Sequence, residues 1–198
     1  FAYPLEVIRN DAPRGFGANH NAAARRCTRP AFCVLNPDIR LTKNPFPVLL
    51  AELERNHCAL VAPRITDPAG CTEDSARRFP TAAGLVAKSL GRAPALDYEI
   101  GAAAFSPDWG AGMFMLFQST AFRSVGGFDE RYFLYYEDVD ICARLRRAGY
   151  DVRLVPGAVA VHDARRASRS DWQHRAWHAG SMLRYLLTSG RNPPPRPS

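Results

Sequence analysis

The sequence predicts an α/β fold built in layers, and three observations support this. Short apolar runs typical of buried strands alternate with amphipathic stretches typical of helices along most of the chain. Hydrophobic residues make up 46% of the 198 residues, which is enough for one domain with a sizeable core. No internal repeat is visible in the sequence, so an array of repeated units is not expected.

Six short segments have the composition of buried strands, because they are apolar and rich in β-branched or aromatic residues. The predicted strands are residues 5–8, 31–35, 58–65, 112–117, 150–155 and 158–162. Residues 67–108 are rich in proline, glycine and charge, and we predict irregular surface structure there with one helix at residues 82–90.

The other predicted helices are marked by their first and last residues. A glycine-rich turn at residues 15–17 precedes an Ala- and Arg-rich stretch, and prolines open the next helix. Ser119 or Thr120 can cap a short helix, and Gly149 is a C-terminal stop signal after three arginines. Besides the stretch after residue 15, the predicted helices are residues 45–56, 119–127, 137–148 and 171–190.

The chain is basic, with 26 lysine and arginine residues against 19 acidic ones and a net charge of +7. Almost all of the positive charge is arginine, which suits bidentate contacts to phosphate, although a biased genome gives the same composition. The charge indicates an anionic partner: a phosphate, a membrane surface or a nucleic acid. A nucleic-acid binder is disfavoured, because the arginine pairs are dispersed and no nucleic-acid-binding motif is present.

The five cysteines predict a reducing, cytoplasmic environment. Their number is odd and none forms a CxxC pair, so neither a disulfide framework nor a zinc site is indicated.

Three acidic residues, Glu137, Asp138 and Asp140, directly follow the aromatic run of residues 132–136. They fall in the first turn of a predicted helix, where negative charge complements the helix dipole on many ordinary helices. The same arrangement also suits a catalytic carboxylate in partly dry surroundings, and the residues alone leave both interpretations open.

Two further sites end predicted strands. Asn36, Pro37 and Asp38 follow a buried strand at the edge where open α/β sheets bind ligands, but these are also ordinary turn residues. His162 closes the last strand and could be structural. One carboxylate and one imidazole, completed by diphosphate oxygens, would suit Mn²⁺ or Mg²⁺.

The order and spacing of these segments resemble the family 2 inverting glycosyltransferases of GT-A fold, in particular bacterial rhamnosyltransferase-like members. The segments that carry the resemblance are "RGFGANHN", "FCVLNPDI", "DWGAGMFML", "VGGFDERYFLYYEDVDICARLRRAGY", "VPGAVAVH" and "SMLRY". The resemblance implies a mixed, mostly parallel sheet flanked by helices. It also implies a single domain over residues 1–189, followed by a disordered proline-rich tail at residues 190–198.

The resemblance implies roles for four polar residues. Asp138 would be the general base of a single inverting displacement, and Asp38 and His162 would bind the metal on a nucleotide-sugar diphosphate. Asn36 stands where the family carries the first acidic residue of its metal-binding motif, and the substitution removes one negative charge from the site.

The remaining site residues would contact the donor or the acceptor. Glu137 and Asp140 would orient the turn that carries Asp138. The donor-side loop would include Gly15, Asn19 and Asn21. The floor near the sugar and acceptor would be formed by Trp109, Gly110, Ala111 and Gly112.

Two departures accompany the resemblance. Pro13 replaces the usual asparagine two residues before the Gly-Phe pair, and the family's first strand and Asp-bearing second strand have no counterpart here. An edge of the sheet lacking its nucleotide-binding strands is therefore expected, with apolar residues exposed at 5–8 and 31–35.

The implied function is transfer of a sugar, with rhamnose as the candidate, from a nucleotide-diphosphate sugar to a glycan or polyprenyl-diphosphate-linked acceptor in cell-surface polysaccharide synthesis. Such an acceptor would bring the protein to the inner face of the cytoplasmic membrane as a peripheral partner. The alternative is a non-catalytic glycosyltransferase-like module that binds a glycan or a protein.

Overall fold

The computed structural model describes residues 4–55, 57–91, 96–163, 172–191 and 194. The helices are α1 (Phe16–Ala24), α2 (Phe46–Leu53), α3 (Ala82–Ser89), α4 (Ser119–Ser124), α5 (Glu137–Arg147) and α6 (Trp172–Leu187). The strands are β1 (Ala31–Leu35), β2 (Ile39–Arg40), β3 (Cys58–Thr66), β4 (Ala76–Arg77), β5 (Trp109–Gly110), β6 (Phe114–Gln118) and β7 (Asp151–His162).

Five strands form the main sheet in the order β1-β6-β3-β7-β2. The predicted mixed sheet with flanking helices is confirmed, but the prediction that it is mostly parallel is wrong for the described strands. Only β3 and β7 pair in parallel, whereas β6 runs antiparallel to both of its neighbours and β2 runs antiparallel to β7. As a result, β1, β3 and β7 end at the same edge, where β6 begins.

The centre of the sheet is the β3–β7 pair. Eight of the nine residues of β3 are buried, as expected for a strand covered on both faces. The predicted strands at 150–155 and 158–162 form one continuous β7, because the register shift beside Pro156 and Gly157 bends the strand without ending it.

Successive side chains of β6 point to opposite faces of the sheet and therefore belong to two different parts of the core. Phe114 and Leu116 pack with α2 residues on one face, while Met115 and Phe117 join the larger cluster that includes α4 and α5 on the other. Each face of the sheet is therefore covered by at least one helix.

The predicted strand at residues 5–8 is wrong: these residues form no regular element in the structure. Leu5, Val7 and Ile8 are exposed, and no strand of the described chain pairs with them, so their apolar composition alone does not make a strand. The predicted exposure of apolar residues is observed at residues 5–8, but for residues 31–35 it holds only at Leu35, since Val34 is buried and the other three residues are partly buried.

Residues 67–108 are more structured than the composition indicated. The predicted helix at 82–90 is confirmed as α3, but β4 pairs with β5, and Ser75, Ala76 and Phe79 are buried. This segment therefore contributes to the interior, in addition to the surface.

Helix α5 agrees with its prediction to within one residue. Val139, Ile141 and Leu145 are buried on its inner side, and Gly149 follows the helix with a φ of 83°. The chain turns back at Gly149, and the Tyr150 N–H donates to the Leu145 carbonyl. This bond satisfies one of the carbonyl groups at the C-terminal end of the helix.

Helix α6 is followed by a 3-10 turn at Ser189–Arg191, so regular structure continues past residue 189, where the predicted domain ends. Residues 192–193 and 195–198 of the predicted tail lie outside the described residues. No helix in the described part of the chain is both long and apolar enough to cross a membrane.

Leu145→Ala should lower the free energy of unfolding by about 2–5 kcal/mol, because Leu145 is fully buried between α5 and the core and its removal leaves a cavity. Leu90→Ala is the matched control, since Leu90 is 62% exposed, and it should change stability by less than about 0.5 kcal/mol. Urea unfolding of the two variants checks this, and equal effects would contradict the packing of α5 described above.

Candidate active site

Asp138 lies in the first turn of α5 and is tied to the sheet by a backbone contact. Its Oδ2 accepts a hydrogen bond from the Gly112 N–H at 2.9 Å, and its Oδ1 accepts one from the Val139 N–H at 2.8 Å. A Cβ on residue 112 would lie 3.4 Å from Oδ2, which is an ordinary contact distance, so the two segments are packed directly against each other. The carboxylate is thereby fixed in one orientation at the beginning of β6.

Two opposing influences act on the Asp138 carboxyl. Burial raises the pKa of Asp138 above its ordinary value, while the hydrogen bonds from Gly112 and Val139 and the positive charge of Arg77 act in the opposite direction. A carboxylate with a raised pKa that is still held by donors is a suitable proton acceptor near neutral pH.

Glu137 has a different environment from its neighbour. Its side chain is buried, and its Oε2 has no hydrogen-bond partner among the described residues. Burial, together with the charge of Asp138, raises the pKa of Glu137 to about 8. Burial and the neighbouring carboxylate thus both disfavour the ionised form of Glu137, and no described side chain or backbone N–H stabilises its Oε2.

Asp140 is held by structural partners. Arg144, one turn further along α5, donates from its Nε to Asp140 at 2.7 Å, and the Ser189 hydroxyl also donates to this carboxylate. Asp140 thus joins α5 to the 3-10 turn after α6, in agreement with an orienting role.

The turn before α5 has an unusual backbone. Tyr135 and Tyr136 both have positive φ values, 70° and 67°, a conformation that costs side-chain-bearing residues about 1–2 kcal/mol each. Side chains of α6 hold this turn: Tyr135 Oη and His174 Nδ1 lie 2.9 Å apart, and the rings of Tyr136 and Tyr185 lie 5.6 Å apart. The packing of α6 therefore maintains the strained turn that presents Asp138.

The two predicted metal ligands lie close together. His162 Nε2 is 3.4 Å from Asp38 Oδ2, because Asp38 directly precedes β2 and β2 pairs with the end of β7. On the other side of the ring, His162 Nδ1 is 2.9 Å from Glu73 Oε2. Glu73 therefore favours the tautomer that leaves the lone pair of Nε2 directed towards Asp38.

The donor set of this pair fits a divalent cation. Asp38 Oδ1 is inaccessible to solvent and has no hydrogen-bond partner among the described residues, so one carboxylate oxygen is available for a ligand. No group of three or more His, Cys, Asp or Glu side chains that could hold a metal occurs in the described part of the chain. Asp38 and His162 would thus supply two ligands, and the remaining positions would fall to oxygens of a bound diphosphate.

The Asp138 and Asp38 regions meet at one edge of the sheet. The Asn36 N–H donates to the Met113 carbonyl at 2.9 Å, and residue 113 directly follows Gly112, which holds Asp138. His162 and Asp38 lie at the same edge, because β1 and β7 both end there. The structure therefore brings Asn36, Gly112 and Asp138 together through a short stretch of backbone.

The predicted floor residues lie on β5 and the segment after it. Trp109 is buried, its ring lies 5.4 Å below the guanidinium of Arg77, and its Nε1–H donates to the Arg78 carbonyl. Gly110 pairs with Ala76, and the Ala111 N–H donates to the Ser75 carbonyl at 2.8 Å. The β4–β5 pair thus places a cationic side chain near Asp138.

The glycine-rich segment at the start of α1 packs against the loop before α5. A Cβ on residue 15 would lie 2.5 Å from the Phe133 carbonyl oxygen, which accepts the Phe16 N–H. Asn21 is buried, and its amide bonds the Phe128 backbone in both directions and also reaches Glu130. Through these contacts Gly15 and Asn21 hold the start of α1 against the loop before α5. They do not support the prediction that Asn21 binds the donor.

Asn19, the third residue of the predicted donor-side loop, is hydrogen-bonded to Asn10 and to the Arg14 carbonyl. Its amide nitrogen and oxygen each have one protein partner, at 3.2 and 2.8 Å. Its role in donor binding stays a prediction.

Sequence reasoning missed Glu73 and Arg77. Both lie in the segment predicted as irregular surface, where charged residues are usual, and no spacing distinguishes them. The Arg77–Arg78 pair before a phenylalanine was a visible signal, but its position beside Asp138 depends on the β4–β5 pairing.

Comparisons with known proteins show the family and the fold of the chain. The sequence profile described as Glycosyl transferase family group 2 matches residues 32–191. The chain is 34% identical over 194 residues to the rhamnosyltransferase WbbL of Escherichia coli strain K12, covering 90% of this chain and 74% of that protein. It is also 34% identical over 166 residues to the N-acetylglucosaminyl-diphospho-decaprenol L-rhamnosyltransferase of Mycobacterium tuberculosis, covering 77% of this chain and 53% of that protein.

Two solved structures show the same fold at 15% sequence identity. The structure of GalNAc-T7 with UDP, GalNAc and Mn²⁺ superposes with a TM-score of 0.66 over 91% of this chain and 36% of that one. The mannosyltransferase PcManGT of Pyrobaculum calidifontis, in complex with GDP-Man and Mn²⁺, gives a TM-score of 0.62 over 98% of this chain and 48% of that one. Because the family profile covers most of the sequence, the chain belongs to glycosyl transferase family group 2.

Proposed function

We propose that the chain is an inverting, divalent-metal-dependent glycosyltransferase that transfers a sugar from a nucleotide-diphosphate donor to a lipid-linked glycan acceptor. The observation that carries this proposal is the meeting of Asp138 and the Asp38–His162 pair at one edge of the sheet. Two rhamnosyltransferases are among the relatives, one of them named for a decaprenol-linked acceptor, and they favour rhamnose as the donor sugar.

Asp138 acts as the general base in this proposal. An acceptor hydroxyl gives its proton to Asp138 while its oxygen forms a bond to the anomeric carbon, and the bond from that carbon to the nucleotide diphosphate breaks. The Gly112 and Val139 N–H groups hold the carboxylate in place, and each carboxylate oxygen keeps one further lone pair for the proton.

Asp38 and His162 hold the divalent cation, and Glu73 fixes the orientation of His162. When bound, Mn²⁺ or Mg²⁺ neutralises charge on the departing diphosphate. Asn36 contributes a neutral amide at a position where the family has a second carboxylate. Binding of the cation and its diphosphate therefore depends more strongly on Asp38, and on nearby arginines such as Arg77, than it would with two carboxylates.

The acceptor side involves the floor of β5 and the turn before α5. Ala111 and Gly112 are partly exposed beside Asp138 and would form the floor under the sugar, while the buried Trp109 and Gly110 support this segment from below. A polyprenyl-linked acceptor places the reaction at the inner face of the cytoplasmic membrane, where the basic chain would bind anionic lipid peripherally.

Asp138→Asn should reduce the turnover number by about 10²–10⁴-fold and leave donor affinity nearly unchanged, because the amide keeps the size of the side chain and cannot accept the proton. Glu137→Gln is the matched control, since it replaces the neighbouring carboxyl by an amide in the same way. It should lower the turnover number much less than Asp138→Asn does. Steady-state kinetics with a nucleotide-sugar donor measures both. Near-normal turnover in Asp138→Asn together with loss in Glu137→Gln would reverse the assignment.

The stability of the chain should decrease as the pH rises from about 5 to about 8. The pKa of Glu137 is raised in the folded state to about 8 from an unfolded value of 4.5. Between these two values the folded chain keeps a proton that the unfolded chain has released, so the free energy of unfolding falls as the pH rises, until the folded carboxyl also ionises. Glu137→Gln should flatten the dependence and increase stability near pH 8 by about 1–3 kcal/mol. Urea midpoints across this range provide the measurement, and an unchanged slope in the variant contradicts the buried, protonated state of Glu137.

Replacing Glu73 should weaken divalent-cation binding without removing a ligand. Glu73→Gln should lower Mn²⁺ affinity by about 10–100-fold through loss of its carboxylate contact with His162, while Asp38→Asn and His162→Gln should each lower it further. Isothermal titration with Mn²⁺ and a nucleoside diphosphate reads out affinity independently of turnover. Asp163→Asn is the control, because that neighbouring carboxylate pairs with Arg40 instead. Equal affinities in Asp38→Asn and the parent protein would rule out this cation site.

A further inference from the structure

Helix α6 presents an apolar face to solvent. At 100° per residue, Trp172, Ala176, Leu183 and Leu187 fall within a sector of about 60°. Trp172 is 79% exposed, and Leu183 and Leu187 are each 57% exposed. With the exposed small residues Ala179 and Gly180, these four form what we call the outer face of α6.

The outer face is not the stripe that packs on the core. The opposite side of α6 is polar and aromatic, and it contacts the loop and turn before α5. Trp177 packs on Phe133 with ring centroids 4.7 Å apart, the Ser181 hydroxyl donates to the Leu134 carbonyl, and Tyr185 is fully buried. Met182 and Leu186 also pack on the core, so the apolar residues of α6 are divided between its core side and the exposed outer face.

The charges around the outer face are of one sign. Arg175 and Arg184 lie on its two borders by helical position, and no acidic residue occurs between Trp172 and Leu187. The whole chain carries a net charge of +7. An apolar strip that includes a tryptophan and is bordered by arginines matches the boundary between acyl chains and anionic headgroups.

We propose that the outer face of α6 docks on the surface of an anionic lipid bilayer. Trp172, Leu183 and Leu187 enter the boundary of the acyl region, and Arg175 and Arg184 contact headgroup phosphates. This inference rests on the proposed function, since a lipid-linked acceptor gives the protein a reason to bind a bilayer. The bound surface, however, is measurable without any transfer reaction.

Docking through this face would place the bilayer and the candidate active site on opposite sides of one helix. The inner side of α6 holds Tyr135 and Tyr136, which directly precede Glu137 and Asp138. A helix with its side chains is about 10–12 Å in diameter. The turn that precedes Asp138 would therefore lie about one helix diameter, 10–12 Å, from the bilayer.

The test is cosedimentation of the chain with vesicles of phosphatidylcholine containing phosphatidylglycerol, compared with vesicles of phosphatidylcholine alone. The double variant Leu183→Glu/Leu187→Glu should bind the anionic vesicles at least about tenfold more weakly than the parent chain. The matched control is Val86→Glu/Leu90→Glu on and after α3, which has the same spacing and similar exposure, 59% and 62%. This control should bind like the parent.

A second variant tests the charge. Arg175→Gln/Arg184→Gln should weaken binding to the anionic vesicles by about fivefold for each arginine and should reduce the preference over pure phosphatidylcholine. Thermal unfolding of every variant verifies that the fold is intact, which is expected because the two leucines are exposed.

Three outcomes would contradict the proposal that α6 docks on a bilayer through its outer face. The first is unchanged vesicle binding in the α6 leucine variant, and the second is an equal loss in the α3 control. The third is conversion of a dimer to a monomer by the leucine variant without loss of vesicle binding, which would assign the face to a second copy. Transfer to a water-soluble acceptor should persist in the leucine variant. If the parent chain binds vesicles through α6 but transfers no sugar, the proposed function fails and the docking surface stands.

Discussion

The hydrogen bond from the Gly112 N–H to Asp138 Oδ2 joins the two halves of the candidate site. Asp138 belongs to α5, whereas Gly112 belongs to the segment that leads into β6 and that also pairs with the end of β1 at Asn36. Because β6 lies between β1 and β3, the sheet order fixes the position of Gly112 relative to Asp38 and His162. A shift of this segment would separate Asp138 from Asp38 and His162.

A carboxylate in partly dry surroundings needs compensation, and the first turn of α5 provides it in two ways. The backbone N–H groups of Gly112 and Val139, together with the positive end of the helix, stabilise the charged form of Asp138. The neighbouring Glu137 is buried, its Oε2 has no hydrogen-bond partner among the described residues, and burial raises its pKa to about 8. Burial thus raises the pKa of both carboxyl groups, and only Asp138 has backbone donors from Gly112 and Val139 that oppose the shift.

Local patterns were sufficient for the parts of the fold that depend on neighbours in sequence. The apolar run of β3, the period of α5 and the stop at Gly149 were all predictable, because each is decided within about a dozen residues. The segment resemblance also indicated Asp38 and His162, which the structure places 3.4 Å apart.

The remaining features depend on long-range pairing, which a single sequence does not display. The antiparallel placement of β6, the absence of a strand at residues 5–8 and the burial of the β4 segment follow from which strands find partners. For the same reason Glu73 and Arg77 could not be recognised as site residues, since their relevance depends on contacts with His162 and with the β5 segment. The left-handed turn at Tyr135 and Tyr136 was equally hidden, because it persists through packing against α6, more than thirty residues away. Helix α6 consequently acts on the site from a distance in sequence. Its inner side chains stabilise the strained turn before Asp138, and the same packing sets the direction in which its apolar outer face points. If the outer face docks on a bilayer as proposed, one helix would determine both the orientation of Asp138 and the orientation of the molecule on the membrane.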